Sequence, residues 1–181
     1  MIAADELLKH ATKLVIPVSQ DTVEIVRDAG SHRWTARFLD TEAIDYSEGR
    51  YTTFPHLRKD GNWIYDSEVP KGDEYVKSFH FDSLTELVTA AKLPAHDLLN
   101  RVTRFSFPRA NGSIMVYGNA KEGWGAVFLD AREKGPIIMN PPRLLHNAQW
   151  TLAGIEPGPQ TWTYDESRFP SLEDVLRVAG L

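Results

Sequence analysis

Trp34-Thr-Ala-Arg-Phe-Leu-Asp40 and Trp124-Gly-Ala-Val-Phe-Leu-Asp130 share a frame across about 90 residues, and the fold turns on how they are read. In the first, Trp34, Ala36 and Phe38 alternate with Thr35, Arg37 and Leu39. Period-two alternation marks a strand with one buried face. The second keeps Trp124, Ala126 and Phe128 but carries Gly125, Val127 and Leu129 on the other face. That strand is expected to be covered on both sides, because apolar residues on both faces mean burial of both.

The same correspondence extends outward. Glu6–Pro17 matches Asp97–Pro108, Pro55-His-Leu57 with Trp63 matches Pro142-Arg-Leu144 with Trp150, and Phe81–Val88 matches Phe169–Leu176. The four blocks are collinear, at offsets that drift between 91 and 87 residues. Repeated self-similarity at a fixed period is the mark of a duplicated structural unit. Each unit is expected to open with a short amphipathic helix, using Leu7, Leu8, Ala11 and Leu14, or Leu98, Leu99, Val102 and Phe105. A meander of short strands follows, including 15–18, 23–27, 51–57 and 62–65, then 104–107, 113–117, 136–139 and 149–152. Asn111-Gly112 and Lys59-Asp-Gly61 are read as turns. Ser83-Leu-Thr-Glu86 and Ser171-Leu-Glu-Asp174 are read as capping boxes that start a closing helix. The predicted fold is α+β: a tandem duplication of a helix–antiparallel meander–helix unit, its two copies (1–93 and 94–181) docked together.

Composition narrows the function classes. The chain has 181 residues, with five Trp, eight Phe and six Tyr, too aromatic for a disordered protein. A net charge of −5 argues against nucleic-acid binding by electrostatics. With no cysteine, disulfides, zinc–thiolate sites and thiol nucleophiles are excluded. No signal peptide and no membrane-spanning segment is read in the sequence, so the expectation is a cytoplasmic protein without a membrane partner.

No phosphate loop, zinc-protease helix or nucleophile elbow is found. The six histidines, His10, His32, His56, His80, His96 and His146, are scattered without metal-ligand spacing. Asp40 and Asp130 are read as turn-capping acids after their strands, and Trp34, Trp124, Trp63 and Trp150 as core. No catalytic residue, metal or cofactor is therefore expected. Material unique to one copy remains: loop 41–51 with Glu42, Asp45, Tyr46 and Glu48; loop 66–75 with Asp66, Glu68, Asp73, Glu74 and Tyr75; and loop 156–166 with Trp162, Tyr164 and Asp165. Acids mixed with rigid aromatics on loops suit a protein-binding surface. The alternative is a small enzyme or ligand-binding protein whose histidines and carboxylates assemble only in space.

In layout, Trp34–Asp40, Trp63 and Phe81–Ala91 with their second-copy equivalents resemble the small immunity proteins that bacteria encode beside secreted polymorphic toxins. The pattern is similar in outline to the immunity factor of an NAD-hydrolysing necrotizing toxin. The resemblance implies cytoplasmic residence, no catalysis, and a protein partner, a cognate toxin domain whose active site the loops would plug.

Overall fold

The computed structural model describes residues 7–8, 10–18, 21–39, 55–65, 69–93, 97–131, 141–151 and 167–181. In chain order the described elements are β1 (Lys13–Val18), β2 (Asp21–Arg27), β3 (Trp34–Leu39), β4 (Pro55–Leu57) and β5 (Trp63–Tyr65). Helices α1 (Asp73–Phe79), α2 (Leu84–Ala90) and α3 (Leu98–Arg101) follow. The chain continues through β6 (Arg104–Arg109), β7 (Gly112–Asn119), β8 (Gly123–Asp130), β9 (Arg143–Leu144) and β10 (Trp150–Thr151) to α4 (Leu172–Val178). Two compact units result, Thr12–Val102 and Met1–Ala11 with Thr103–Leu181.

This overturns the helix–meander–helix duplication and the α+β class. Among the described residues antiparallel sheet dominates, ten strands against the four short helices named above. The stripe Leu98, Leu99, Val102, Phe105 has helical spacing, yet only one turn of it is helix. Val102 is already extended (φ −68°, ψ 123°) and Phe105 lies in β6. Leu14 likewise belongs to β1. All of Leu14, Leu98, Val102 and Phe105 are buried, but the sheet alternation of β1 and β6 claims half of them. By contact, helical Leu7 and Leu8 group with 103–181, and α3 groups with 12–102.

Within Thr12–Val102 the strands run in sequence order from β1 to β5. The register Leu14↔Ile25 and Ile16↔Val23 puts four apolar side chains on one face, and Ile25↔Ala36 continues it onto β3. Helix α2 packs against β3 and buries Leu87 and Val88. Each such side chain removed from water contributes about 1.5–3 kcal/mol. In the other unit β6 to β10 are also in sequence order. Phe105↔Val116, Phe107↔Ile114 and Val116↔Ala126 build its buried face, and α4 packs on β8 with Val175 and Leu176 buried. Trp124 to Val127 are all buried, so β8 is covered on both faces there.

The residues just ahead of α2 and α4 are held alike. Trp34 and Phe81 exchange backbone hydrogen bonds of 2.9 and 2.8 Å, and Trp124 and Phe169 do so at 2.8 and 2.7 Å. Ser83 Oγ then accepts from Glu86 N–H at 3.1 Å, while Glu86 Oε2 accepts from Asp82 N–H at 3.1 Å. Ser171 Oγ accepts from Asp174 N–H at 3.1 Å. Asp174 is one methylene shorter than Glu, and its Oδ2 instead accepts the Ser171 hydroxyl at 2.6 Å. The Asn111-Gly112 turn is displaced by one residue: Arg109 pairs with Gly112, so the loop is Ala110-Asn111 and Gly112 is the first residue of β7.

Candidate functional site

Of the proposed contact residues, Asp73, Glu74 and Tyr75 are described, and they lie in α1 rather than in a loop. Gly72 caps this helix without a side-chain bond. Asp73 and Glu74 occupy the first turn, where negative charge suits the free N–H groups, and both are exposed. Tyr75 is half-buried. Its ring stacks on Phe79 (5.3 Å, 17°) and meets His80 and His56 edge-on at 5.2 and 6.3 Å. Glu42, Asp45, Tyr46, Glu48, Asp66, Glu68, Trp162, Tyr164 and Asp165 lie outside the described residues, as do Asp40 and His96.

An ionic cluster in the Thr12–Val102 unit escaped the sequence reading. Glu24, 4% exposed, is the one buried charged residue among those described. Its Oε1 is 2.6 Å from Lys13 Nζ, and its Oε2 accepts from Arg37 Nε at 2.6 Å. Burial pushes the carboxyl's pKa upward, but the hydrogen bonds and charges of Lys13 and Arg37 outweigh it and hold the group below the ordinary carboxylate value. Arg37 pairs in register with His56 on β4. The signal was present as one acid in the otherwise uncharged run Thr22-Val-Glu-Ile-Val26. Its partners, however, are 11 and 13 residues away and become visible only with the strand register.

A second polar group surrounds His80. The His80 Nδ1 is buried and has no hydrogen-bond partner among the described residues. Burial lowers the imidazole pKa, the Asp28 charge opposes this, and Arg33 and Lys59 lower it further. Asp28 is itself committed to a turn, its Oδ1 accepting from Ser31 N–H, Ser31 Oγ–H and Gly30 N–H at 2.6, 2.8 and 3.1 Å. These bonds, led by that from the Ser31 backbone, keep its pKa low. The carboxylate facing His80 is thus already engaged in a turn. No group of three or more His, Asp or Glu positioned for a metal occurs among the described residues.

The tryptophans divide. Trp34 and Trp124 are core, but Trp150 is 38% exposed on β10 and only edges against Phe128 at 6.2 Å; two-residue β9 and β10 cannot bury it. Trp63 packs at 4.0 Å from Phe38. His146 Nε2 donates to the Arg168 carbonyl oxygen at 2.7 Å, and its ring lies 4.6 Å from the Phe169 ring. The carbonyl can only accept, so this nitrogen carries the proton.

One cleft is formed by side chains of the unit that joins the first eleven residues to 103–181. It encloses about 490 Å³. Leu7, Phe107, Leu176 and Leu181 supply apolar wall, and Arg109 and His10 are its charged or ionisable side chains. No protein-family model, curated protein or solved structure matches the chain. No helix among the described residues is long and apolar enough to cross a membrane.

Proposed function

We propose that this chain is a non-enzymatic interaction protein: an immunity protein that resides in the cytoplasm and binds and blocks a secreted bacterial toxin. The reading is supported by α1. It presents Asp73 and Glu74 to solvent from a helix anchored by buried Phe79, whereas the carboxylates of Glu24, Asp28 and Asp174 are engaged within their own unit. Acids fixed on a packed element suit a basic cleft on a partner, where complementary charge raises the association rate.

Co-expression tests the function directly. Affinity capture from the source cell identifies a stoichiometric partner, and that partner is then expressed with and without this chain. Relief of its toxicity is the expected result. Undiminished toxicity despite a formed complex would sink the neutralising role. In the same complex, Asp73→Asn with Glu74→Gln should slow association about tenfold at low salt and leave dissociation nearly unchanged. An unchanged association rate would remove α1 from the contact surface.

A further inference from the structure

We propose that the cleft of the 1–11/103–181 unit is a binding site for a small amphipathic carboxylate, an organic acid with an apolar tail. Its lining shares no residue with α1, and it does not depend on the partner-binding reading.

Its size is the first support. About 490 Å³ lies within the roughly 300–1,000 Å³ range of small-molecule pockets. The walls are the second. Phe107 and Leu176 are 2% and 1% exposed, and Leu7 is 7% exposed, so the floor of the cleft is fixed in the core, and the partly exposed Leu181 adds apolar surface above it. Leu181 is held by the end of α4. Gly180 takes a positive φ of 68°, Gly180 N–H reaches Arg177 O at 3.2 Å, and Leu181 N–H reaches Leu176 O at 2.9 Å. This pair of bonds is the Schellman helix ending, which brings the residue after the glycine onto the residue three from the helix end. Leu181 and Leu176, both on the cleft, are those two positions.

The cation is the third support, and it selects the ligand. Arg109 Nη2 donates to Gly180 O at 2.8 Å. The bond satisfies a carbonyl at the negative end of α4 and orients the guanidinium beside apolar wall. A guanidinium has five N–H donors and keeps its charge at every physiological pH, and its planar fork matches a carboxylate. His10 adds an imidazole to the same lining. Permanent positive charge next to Leu, Phe and Leu fits an anion with an apolar tail. A carboxylate would add a charge-assisted pair to the exposed guanidinium, which an apolar ligand cannot offer, and a compact hydrophilic anion would leave the walls unfilled.

The test uses the full chain and three probes: octanoate, 1-octanol with a similar tail and no charge, and acetate with the charge and no tail. Isothermal titration should show saturable one-to-one octanoate binding, at least tenfold weaker octanol binding, and no acetate binding. Intermolecular NOEs from the octanoate methyl should reach Leu7, Leu176 and Leu181. Arg109→Gln should reduce octanoate affinity at least tenfold while leaving octanol unchanged, and Leu181→Ser should weaken both. If Arg109→Gln fails to fold, Arg109→Lys replaces it, with an intermediate loss expected from a charge without the fork. No saturable octanoate binding, equal affinity for octanoate and octanol, or NOEs elsewhere would overturn the proposal. So would concentration-dependent shifts of the same methyls without ligand, which would show a second copy in the cleft.

Discussion

The meander β1–β2–β3 and the meander β6–β7–β8 solve one packing problem with opposite chemistry. On the central strand of the first, Glu24 pairs in register with Arg37 on β3 and also binds Lys13. On the central strand of the second, Met115 pairs in register with Val127 on β8, and Val127 is 4% exposed. A three-stranded antiparallel scaffold therefore tolerates a carboxylate between two cations or an apolar pair at its middle. The ionic version is not the more stable one by default, because desolvation consumes much of what the charges gain.

Breaking the ionic version should have the largest effect. Glu24→Ala removes the carboxylate that Lys13 and Arg37 share. Chemical denaturation should report a loss of about 3 kcal/mol, at the low end for a broken buried pair because Lys13 and Arg37 still reach water. Copying the apolar version, Glu24→Met with Arg37→Val, should return stability to within about 1 kcal/mol of the parent. The two chains should also separate with pH. The Glu24 pKa is lowered in the fold, so its contribution is complete above the ordinary carboxylate value and is lost as pH falls through the depressed one. Both chains should weaken in acid, since Asp28, Asp60 and Asp174 are lowered too, but the parent should weaken more steeply. Equal slopes would assign acid sensitivity to the turns and caps instead.

The first hairpins of the two meanders close on different residues. Val18 pairs with Asp21 in one, and Arg109 pairs with Gly112 in the other. A Cβ at Gly112 would overlap the carbonyl oxygen of Leu129 on the neighbouring strand. Gly112→Ala should therefore cost about 2 kcal/mol in the same denaturation assay, through backbone displacement. A cost under 0.5 kcal/mol would mean that β7 and β8 separate locally without strain.

Legibility in the sequence followed the range of the interactions. Ser83 and Ser171 were readable as caps because donor and acceptor are three residues apart. Trp34 to Leu39 was readable because alternation lies within one strand. Helix α1 was missed because its apolar positions, Tyr75, Val76 and Phe79, follow an acidic run with Pro70 and Gly72, and its cap has no side chain. The opening helices were overextended because Val102 and Phe105 satisfy the helical period and are buried by the sheet as well. The Lys13–Glu24–Arg37 cluster depends on cross-strand register. The cleft joins residues 7–10, 107–109 and 176–181, so spacing along the chain carries no trace of either.

The ends of α2 and α4 share one geometry with different residues. Lys92 N–H bonds Thr89 O at 3.1 Å and Leu93 N–H bonds Val88 O at 3.0 Å, the same two-bond ending found at Gly180 and Leu181. Lys92 adopts φ 55° and Gly180 φ 68°. The left-handed region costs a residue with a Cβ about 1 kcal/mol and glycine almost nothing. Gly180→Ala should lower stability by about 1 kcal/mol, and Lys92→Gly should raise it by about 0.5 kcal/mol once the extra chain entropy of glycine is subtracted. Two destabilised variants would show that the Lys92 stem makes compensating contacts.

The smallest expected difference lies just before the paired bridges, where His80 precedes Phe81 and Arg168 precedes Phe169. Arg168 stands over the Tyr117 ring at 5.0 Å. His80 has a buried Nδ1 with no partner among the described residues and a lowered pKa, with burial and the charges of Arg33 and Lys59 disfavouring the proton against the pull of Asp28. The unfolded chain takes up that proton first, at the ordinary histidine value of about 6.5. The contribution of His80 is therefore complete above that pH and declines as pH falls toward the lower folded value. His80→Gln keeps a polar side chain and removes the titration. Its melting temperature should track the parent from pH 8 down to about 7 and fall less than the parent between about pH 6.5 and 5.5. Parallel curves across that window would mean that Asp28 offsets the burial of the imidazole completely, so that the fold has no preference for its neutral form.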